Sequence, residues 1–234
     1  MKLNKGQIIS LIVILVLILD QASKIWVKTN MYYGEQISIF GASWGFIHFV
    51  ENNGMAFGIS LGGKFGKLVL SLFRIGAVGF LIYFIRKMIE DKQKMGVLIC
   101  FALILAGAIG NIIDSAFYGL IFSESPYHGG VATMFPEGGG YASFLYGKVV
   151  DMLYFPLIDT HWPSWMPFIS GDRFQFFKPV FNVADSSISV GIVSLLLFQR
   201  SFFAQPAQTS EQKVVDEAAE APIPQESPDQ IEPT

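Results

Sequence analysis

The sequence predicts an all-α membrane bundle of four transmembrane helices, with a small extracytoplasmic β-containing subdomain and both termini in the cytoplasm. Three observations carry this reading. Apolar residues make up 52% of the 234-residue chain and charged residues only 15%, where a soluble domain carries about a quarter. The apolar residues are clumped into stretches that reach the roughly 20 residues of helix a hydrocarbon core demands. Lysine and arginine gather at alternating ends of those stretches.

The four stretches run about 7–27, 68–85, 95–117 and 181–203. Lipid offers the backbone no hydrogen-bond partner, so each must be helical. The first follows Lys2 and Lys5 but lacks a small-x-small cleavage site, and three more spans follow it, so it reads as an uncleaved anchor. Lys2 and Lys5, the cluster Arg86, Lys87, Lys92 and Lys94, and Arg200 mark the cytoplasmic side. The loops of about 28–67 and 118–180 then lie outside. Within the first, 36–40 and 45–50 read as short strands broken by glycine. The second holds Trp162, Trp165, Phe168, Phe174, Phe176 and Phe177, ring types suited to the headgroup layer, and reads as a platform resting on the membrane. Residues 204–234 are rich in Pro, Gln and Glu and read as a disordered acidic cytoplasmic tail, leaving 1–203 as the transmembrane domain.

Composition also excludes classes of function. Net charge is −3 with no basic patch, which argues against nucleic acid. Cys100 is the one cysteine and lies in an apolar run, where it reads as an inert core thiol. No Cys/His ligand cluster suggests a metal, and no cofactor is implied.

Ionisable residues inside spans are costly and call for a partner or a task. There are five: Asp20 and Lys24 in the first span, Arg74 in the second, Asp114 in the third and Asp185 in the fourth. Given alternating span directions, the three carboxylates converge near the outer face. Asp20 and Lys24 stand four residues apart on one helix face and can pair with each other. Arg74, about 10 Å from the outer end of its helix at 1.5 Å per residue, reads as a residue that snorkels outward or holds a carboxylate or a substrate carbonyl. Asp114 and Asp185 lack an in-helix cation, and each follows an asparagine at three residues: Asn111-Ile-Ile-Asp114 and Asn182-Val-Ala-Asp185. Two carboxylates close together in a low dielectric share one proton, the electronic requirement of an aspartic peptidase. Paired intramembrane carboxylates also serve as proton relays. Spacing alone leaves these two readings equal, and a scaffold in which the carboxylates merely hold helices together is a third.

Five blocks carry a resemblance: Asp20-Gln-Ala-Ser-Lys24, Asn52-Asn-Gly-Met-Ala-Phe-Gly58, Gly110-Asn-Ile-Ile-Asp114, Val149-Val-Asp151 and Phe181-Asn-Val-Ala-Asp185. In that order, relative to four spans, the chain resembles the lipoprotein signal peptidases, signal peptidase II. The resemblance implies an aspartyl endopeptidase of the bacterial inner membrane which cuts prolipoproteins before a diacylglyceryl-modified cysteine and binds globomycin-type cyclic peptides; such chemistry needs no cofactor, and the chain reads as a monomer. Carried over block by block, it implies Asp114 and Asp185 as the catalytic dyad and Asn111 and Asn182 as its supports. Asn52, Gly54, Ala56 and Phe57 would wall the substrate, Asp20 and Lys24 would be structural or substrate-positioning, and Asp151 would tie the second outer loop to the helices. Two features depart from the pattern. Ser115 stands where the family usually has arginine, for which Arg74 or Arg173 would have to substitute. The segments 116–148 and 152–179 are longer than the resemblance leads one to expect and read as a lid, a lipid-facing platform or a partner site. His128 and His161, both in these segments, read as surface residues.

Overall fold

The computed structural model describes residues 3–54, 63–163, 165–166 and 171–203. Three helices are long and apolar enough to cross a membrane: α1 (Lys5–Asn30), α2 (Gly63–Glu90) and α3 (Met95–Ile113). The last continues through a π-helical turn (Asp114–Tyr118) into the short α4 (Gly119–Ile121). The helices α1 and α2 run beyond the apolar stretches that announce them, and at the start of α1 a polar cap sets the end. There the side chain of Asn4 accepts from the backbone of Gln7 at 2.8 Å, and Gln7 returns the bond at 2.9 Å, a capping box.

The fourth stretch is shorter than expected. The helix α5 covers Val183–Phe198, 16 residues, or about 24 Å of rise against the roughly 30 Å of a hydrocarbon core. The reason lies at its start: Val180 and Phe181 are strand β6, and Asn182 caps the helix by accepting from the Asp185 backbone at 2.8 Å. Residues Arg200–Phe203 form a separate helical turn, α6. The tail 204–234, together with Ala56, Phe57 and Phe168, lies outside the described residues.

The α3–α5 contact is close because glycine lines it, as helix contacts in lipid favour. A Cβ on Gly107 would press on the Ala184 carbonyl and the Ser187 and Ile188 side chains, and one on Gly191 would meet the Cys100 carbonyl at 2.7 Å. The faces turned away from this contact are apolar and exposed, as at Ile18, Phe73, Phe80 and Phe198.

The remaining strands are β1 (Gln36–Ser38), β2 (Phe46–Asn52), β3 (Val149–Tyr154), β4 (Ile158–His161) and β5 (Arg173–Phe176). An antiparallel sheet of order β1-β2-β3-β6 caps one end of the helices, and β4 and β5 form a separate hairpin. The expected strand positions in the first loop correspond to β1 and β2. Register sets Asn52 opposite Val149 and Val50 opposite Asp151. Because β6 pairs with β3 through Leu153–Phe181 and then runs directly into α5, sheet and helix are locked together. Val27 and Met31 of α1, Phe49 of β2, Val150 and Met152 of β3, and Tyr118 and Phe122 form the apolar core beneath the sheet. On the hairpin, Trp165 and Phe176 are exposed, while Trp162 packs on Phe174 at 4.7 Å between centroids.

Candidate active site

Three elements meet under the sheet: the C-terminal half of α1, the C-terminal end of α3 and the first turn of α5. The α1 residues Asp20, Lys24 and Lys28 recur at four-residue spacing, share one face and are fully buried. Lys24 uses all three of its protons. Its Nζ lies 2.9 Å from Asp20 Oδ2, 2.9 Å from Asp114 Oδ2 and 3.0 Å from Asn111 Oδ1. Pairing between Asp20 and Lys24 therefore holds, but the lysine also serves Asp114 from another helix.

Asp114 has no exposed surface. Besides Lys24 it accepts from Gln21 Nε2 at 2.9 Å and from the Val150 backbone N–H at 3.2 Å. A buried charge survives only when paired and fully hydrogen-bonded, and Asp114 is both. The neighbouring Ser115 is buried and returns its hydroxyl to the Asn111 carbonyl at 3.0 Å. Lys24 thus supplies the cation expected beside Asp114, and neither Arg74 nor Arg173 does; Arg173 is paired with Asp159 in the β4–β5 hairpin. Asp20 reaches the other way and accepts from the Ala184 backbone at 2.8 Å, satisfying an N–H of the first turn of α5.

Asn111 joins the buried cluster to an open one. Its oxygen accepts from Lys24, and from Asn182 at 3.1 Å, while its nitrogen donates to Asp185 Oδ1 at 2.8 Å. Asp185 is half-buried and faces a cavity of about 650 Å³, which Asn52, Gly54, Arg74, Asn111 and Asp151 also line. Asp114 and Asp20 do not line it. The second aspartate on its wall is Asp151, placed there by strand β3.

Asp151 is held from both sides. Asn182 donates to its Oδ1 at 2.7 Å, and the Asn52 side chain donates to Oδ2. Burial pushes the Asp151 carboxyl up to about 7, and the charge of Asp185 adds to the rise; the amides of Asn52 and Asn182 and the charge of Lys24 oppose it. Gly54 adopts φ +82°, which favours glycine. A Cβ there would come within 2.6 Å of Arg74 Nη1, whose guanidinium donates to the Gly54 carbonyl. Arg74 thus holds the turn after Asn52 and presents its charge to the cavity.

The arrangement sets two carboxylates on one water-accessible wall, one of them favouring its proton. Such a pair can take a proton from water and give one to a carbonyl oxygen. The sequence reading treats Asp151 as a tie between loop and helices, and the signal for more was present: an ionisable residue inside the apolar run Val149-Val-Asp-Met-Leu153 needs a partner or a task, as it would inside a span.

Residues 12–202 match the family model described as signal peptidase (SPase) II. The chain belongs to the signal peptidase II family. It is therefore a peptidase, and with its apolar helices a bacterial membrane protein. All five motif blocks fall within the match. A lipoprotein signal peptidase of Porphyromonas gingivalis strain W83 is 53% identical over 197 residues, 84% of each chain. One from Amoebophilus asiaticus is 37% identical over 203 residues, 86% of this chain and 80% of that one. A solved structure described as a bacterial membrane enzyme, determined in meso at 1.9 Å, superposes with a TM-score of 0.52 at 26% identity; the match covers 81% of this chain and 90% of that one.

Proposed function

We propose that this chain removes the signal peptide from prolipoproteins as an aspartyl endopeptidase, cutting on the N-terminal side of a diacylglyceryl-modified cysteine, with Asp151 and Asp185 as its working dyad. The lipoprotein signal peptidases to which the chain is 53% and 37% identical support the substrate class. The observation that carries the dyad is that Asp151 and Asp185 line one cavity while Asp114 is sealed against Lys24. Asp114 and Asp20 become the buried counter-charges of Lys24, which fix α1, α3 and the start of α5 relative to one another. Breaking such a buried group by removing one partner costs about 3–5 kcal/mol.

In this reading the pair shares one proton, held on the more deeply buried Asp151. Ionised Asp185, oriented by Asn111, takes a proton from water. The water oxygen bonds to the scissile carbonyl carbon as Asp151 gives its proton to the carbonyl oxygen. The resulting gem-diol then collapses: Asp185 passes its proton to the leaving amine of the modified cysteine, the C–N bond breaks, and a hydroxyl proton returns to Asp151. Asn52 and Asn182 hold Asp151 throughout, and Arg74 with Gly54 shapes the wall against which the peptide lies.

A proton relay needs a polar path through the protein. Among the described residues the polar network stops at Asp20 and at Ser187, whose hydroxyl turns back onto the Ala184 and Leu103 carbonyls. Beyond it lie Cys100, Ala102, Leu105 and Ala106, buried and apolar. That supports a site open to one side, which we place at the outer face of the inner membrane with both termini inside.

The test is cleavage of a purified diacylglyceryl prolipoprotein, with the product mass read directly. A new N-terminus at the modified cysteine, and inhibition by a globomycin-type peptide, are expected. Cleavage elsewhere, or of the unmodified precursor equally well, contradicts the reading.

A further inference from the structure

A second cavity, of about 530 Å³, lies away from the dyad between the start of α2 and the loop that follows α4. Lys64, Lys67 and Lys148 line it, with Glu124, Tyr146 and Ser143. The sequence has no basic patch, yet the fold assembles a small one from segments some 80 residues apart. Three lysines against one glutamate leave a surplus of two positive charges on its walls.

The pairing there is incomplete. Lys67 retains only 8% of its surface, and its Nζ donates to the neutral Asn53 side chain at 3.1 Å. Among the described residues neither Lys64 nor Lys67 has a carboxylate within ion-pair reach. Lys148 pairs with Glu124 at 3.2 Å, but that glutamate side chain is 72% exposed, and exposed pairs contribute little. Glu51, 3.9 Å from Lys148, is already engaged by the buried Lys28. A buried ammonium with one neutral partner is costly, and an anion in the cavity would offset that cost.

The surroundings indicate which anion. Phe65, next to Lys64, is 75% exposed on a helix apolar enough to cross a bilayer. Phe117 and Phe144 pack edge to face at 5.7 Å and each keeps about half of its surface exposed. Phe144 is joined directly to Ser143 on the cavity wall. Basic groups at the end of a span, beside exposed apolar surface, sit where headgroup phosphates lie. We propose that this cavity binds the phosphate of an anionic phospholipid, whose acyl chains lie along the apolar surface beside it. The tyrosine and serine hydroxyls supply hydrogen bonds to the headgroup, and the lipid ties the loop to α2. The proposal rests on α2 spanning the bilayer and not on the chemistry of the dyad.

The full chain in lipid-free detergent is titrated with phosphatidylglycerol, with phosphatidylcholine and with inorganic phosphate, following bound lipid by native mass spectrometry and the melting temperature. Phosphatidylglycerol is expected to bind and raise the melting temperature well above the effect of phosphatidylcholine. Lys64→Gln and Lys148→Gln should each weaken it about fivefold, the equivalent of about 1 kcal/mol per lysine. Lys64 is exposed, so Lys64→Gln alone decides the matter if Lys148→Gln folds poorly. Equal binding of the two lipids, or unchanged affinity in Lys64→Gln, overturns the proposal. Inorganic phosphate matching the lipid overturns the lipid source and leaves a soluble anion. Prolipoprotein cleavage by the wild type is measured alongside in the detergent supplied with phosphatidylglycerol, where the cavity is filled; its absence there bears on the dyad and not on this cavity.

Discussion

A carboxyl raised to about 7 by burial and by a neighbouring aspartate exchanges its proton near neutral pH, as Asp151 does. The folded protein binds the Asp151 proton more tightly than the unfolded chain does. The stability tied to that proton is therefore complete below the ordinary value of 3.8 and is lost as the pH rises through about 7. Two outcomes are expected. kcat/KM for prolipoprotein cleavage should fall as the pH rises above about 7. Asp151→Asn, neutral at every pH, sets an amide donor against Asn52 or Asn182 at a cost that pH does not change, and its melting temperature relative to the wild type should rise between about pH 5 and about pH 8. A melting difference independent of pH would contradict the assignment. At this scale the sequence made the cast of residues legible, through the two Asn-x-x-Asp blocks and the charges inside spans. It did not disclose the partnerships. Whether Asp114 faces Lys24 or the cavity depends on the rotation of α3 against α1, and Lys24 reaches Asp114 across 90 residues of sequence. No spacing rule carries that information.

At the scale of elements, three of the apolar stretches correspond to long helices, and the strands of the first loop are visible as short β-branched runs broken by glycine. The position of Asp151 was not legible, because it follows from the pairing of β3 with β2 and β6, contacts between segments about 100 and 30 residues apart. The shortening of the fourth stretch has the same origin: Phe181 reads as the apolar start of a span, but its backbone is taken by the sheet. The α3–α5 contact carries the prediction here. Gly107→Ala puts a methyl against the Ala184 carbonyl, and overpacking of that kind costs about 1–3 kcal/mol. It should lower the melting temperature and reduce cleavage together, since Ala184 is one residue from Asp185. Gly79→Ala on α2 meets nothing within 4 Å and serves as the control, expected to lower neither. Equal behaviour of the two variants would show that the close approach of α3 and α5 does not matter.

For the molecule as a whole, the account requires the sheet and both cavities to lie on one side of the membrane and the α2–α3 turn on the other. Cys100 is buried, so background labelling is low. A cysteine at Glu137 should react with a membrane-impermeant thiol reagent in spheroplasts, and one at Lys92 only after the membrane is opened; both positions are exposed. The reverse pattern would invert the topology and place the dyad on the cytoplasmic side. The dyad itself is tested most directly by comparing three purified variants, Asp151→Asn, Asp185→Asn and Asp114→Asn, in single-turnover cleavage of a diacylglyceryl prolipoprotein, with melting temperatures measured on the same samples. Loss of a positioned acid or base costs about 10²–10⁴ in rate. The account predicts a loss of at least that size per folded molecule for Asp151→Asn and Asp185→Asn, whereas Asp114→Asn, which breaks the buried group around Lys24, melts lower than the wild type and retains measurable cleavage per folded molecule. Full cleavage by Asp151→Asn, with none by a well-folded Asp114→Asn, would contradict it and return the catalytic role to Asp114.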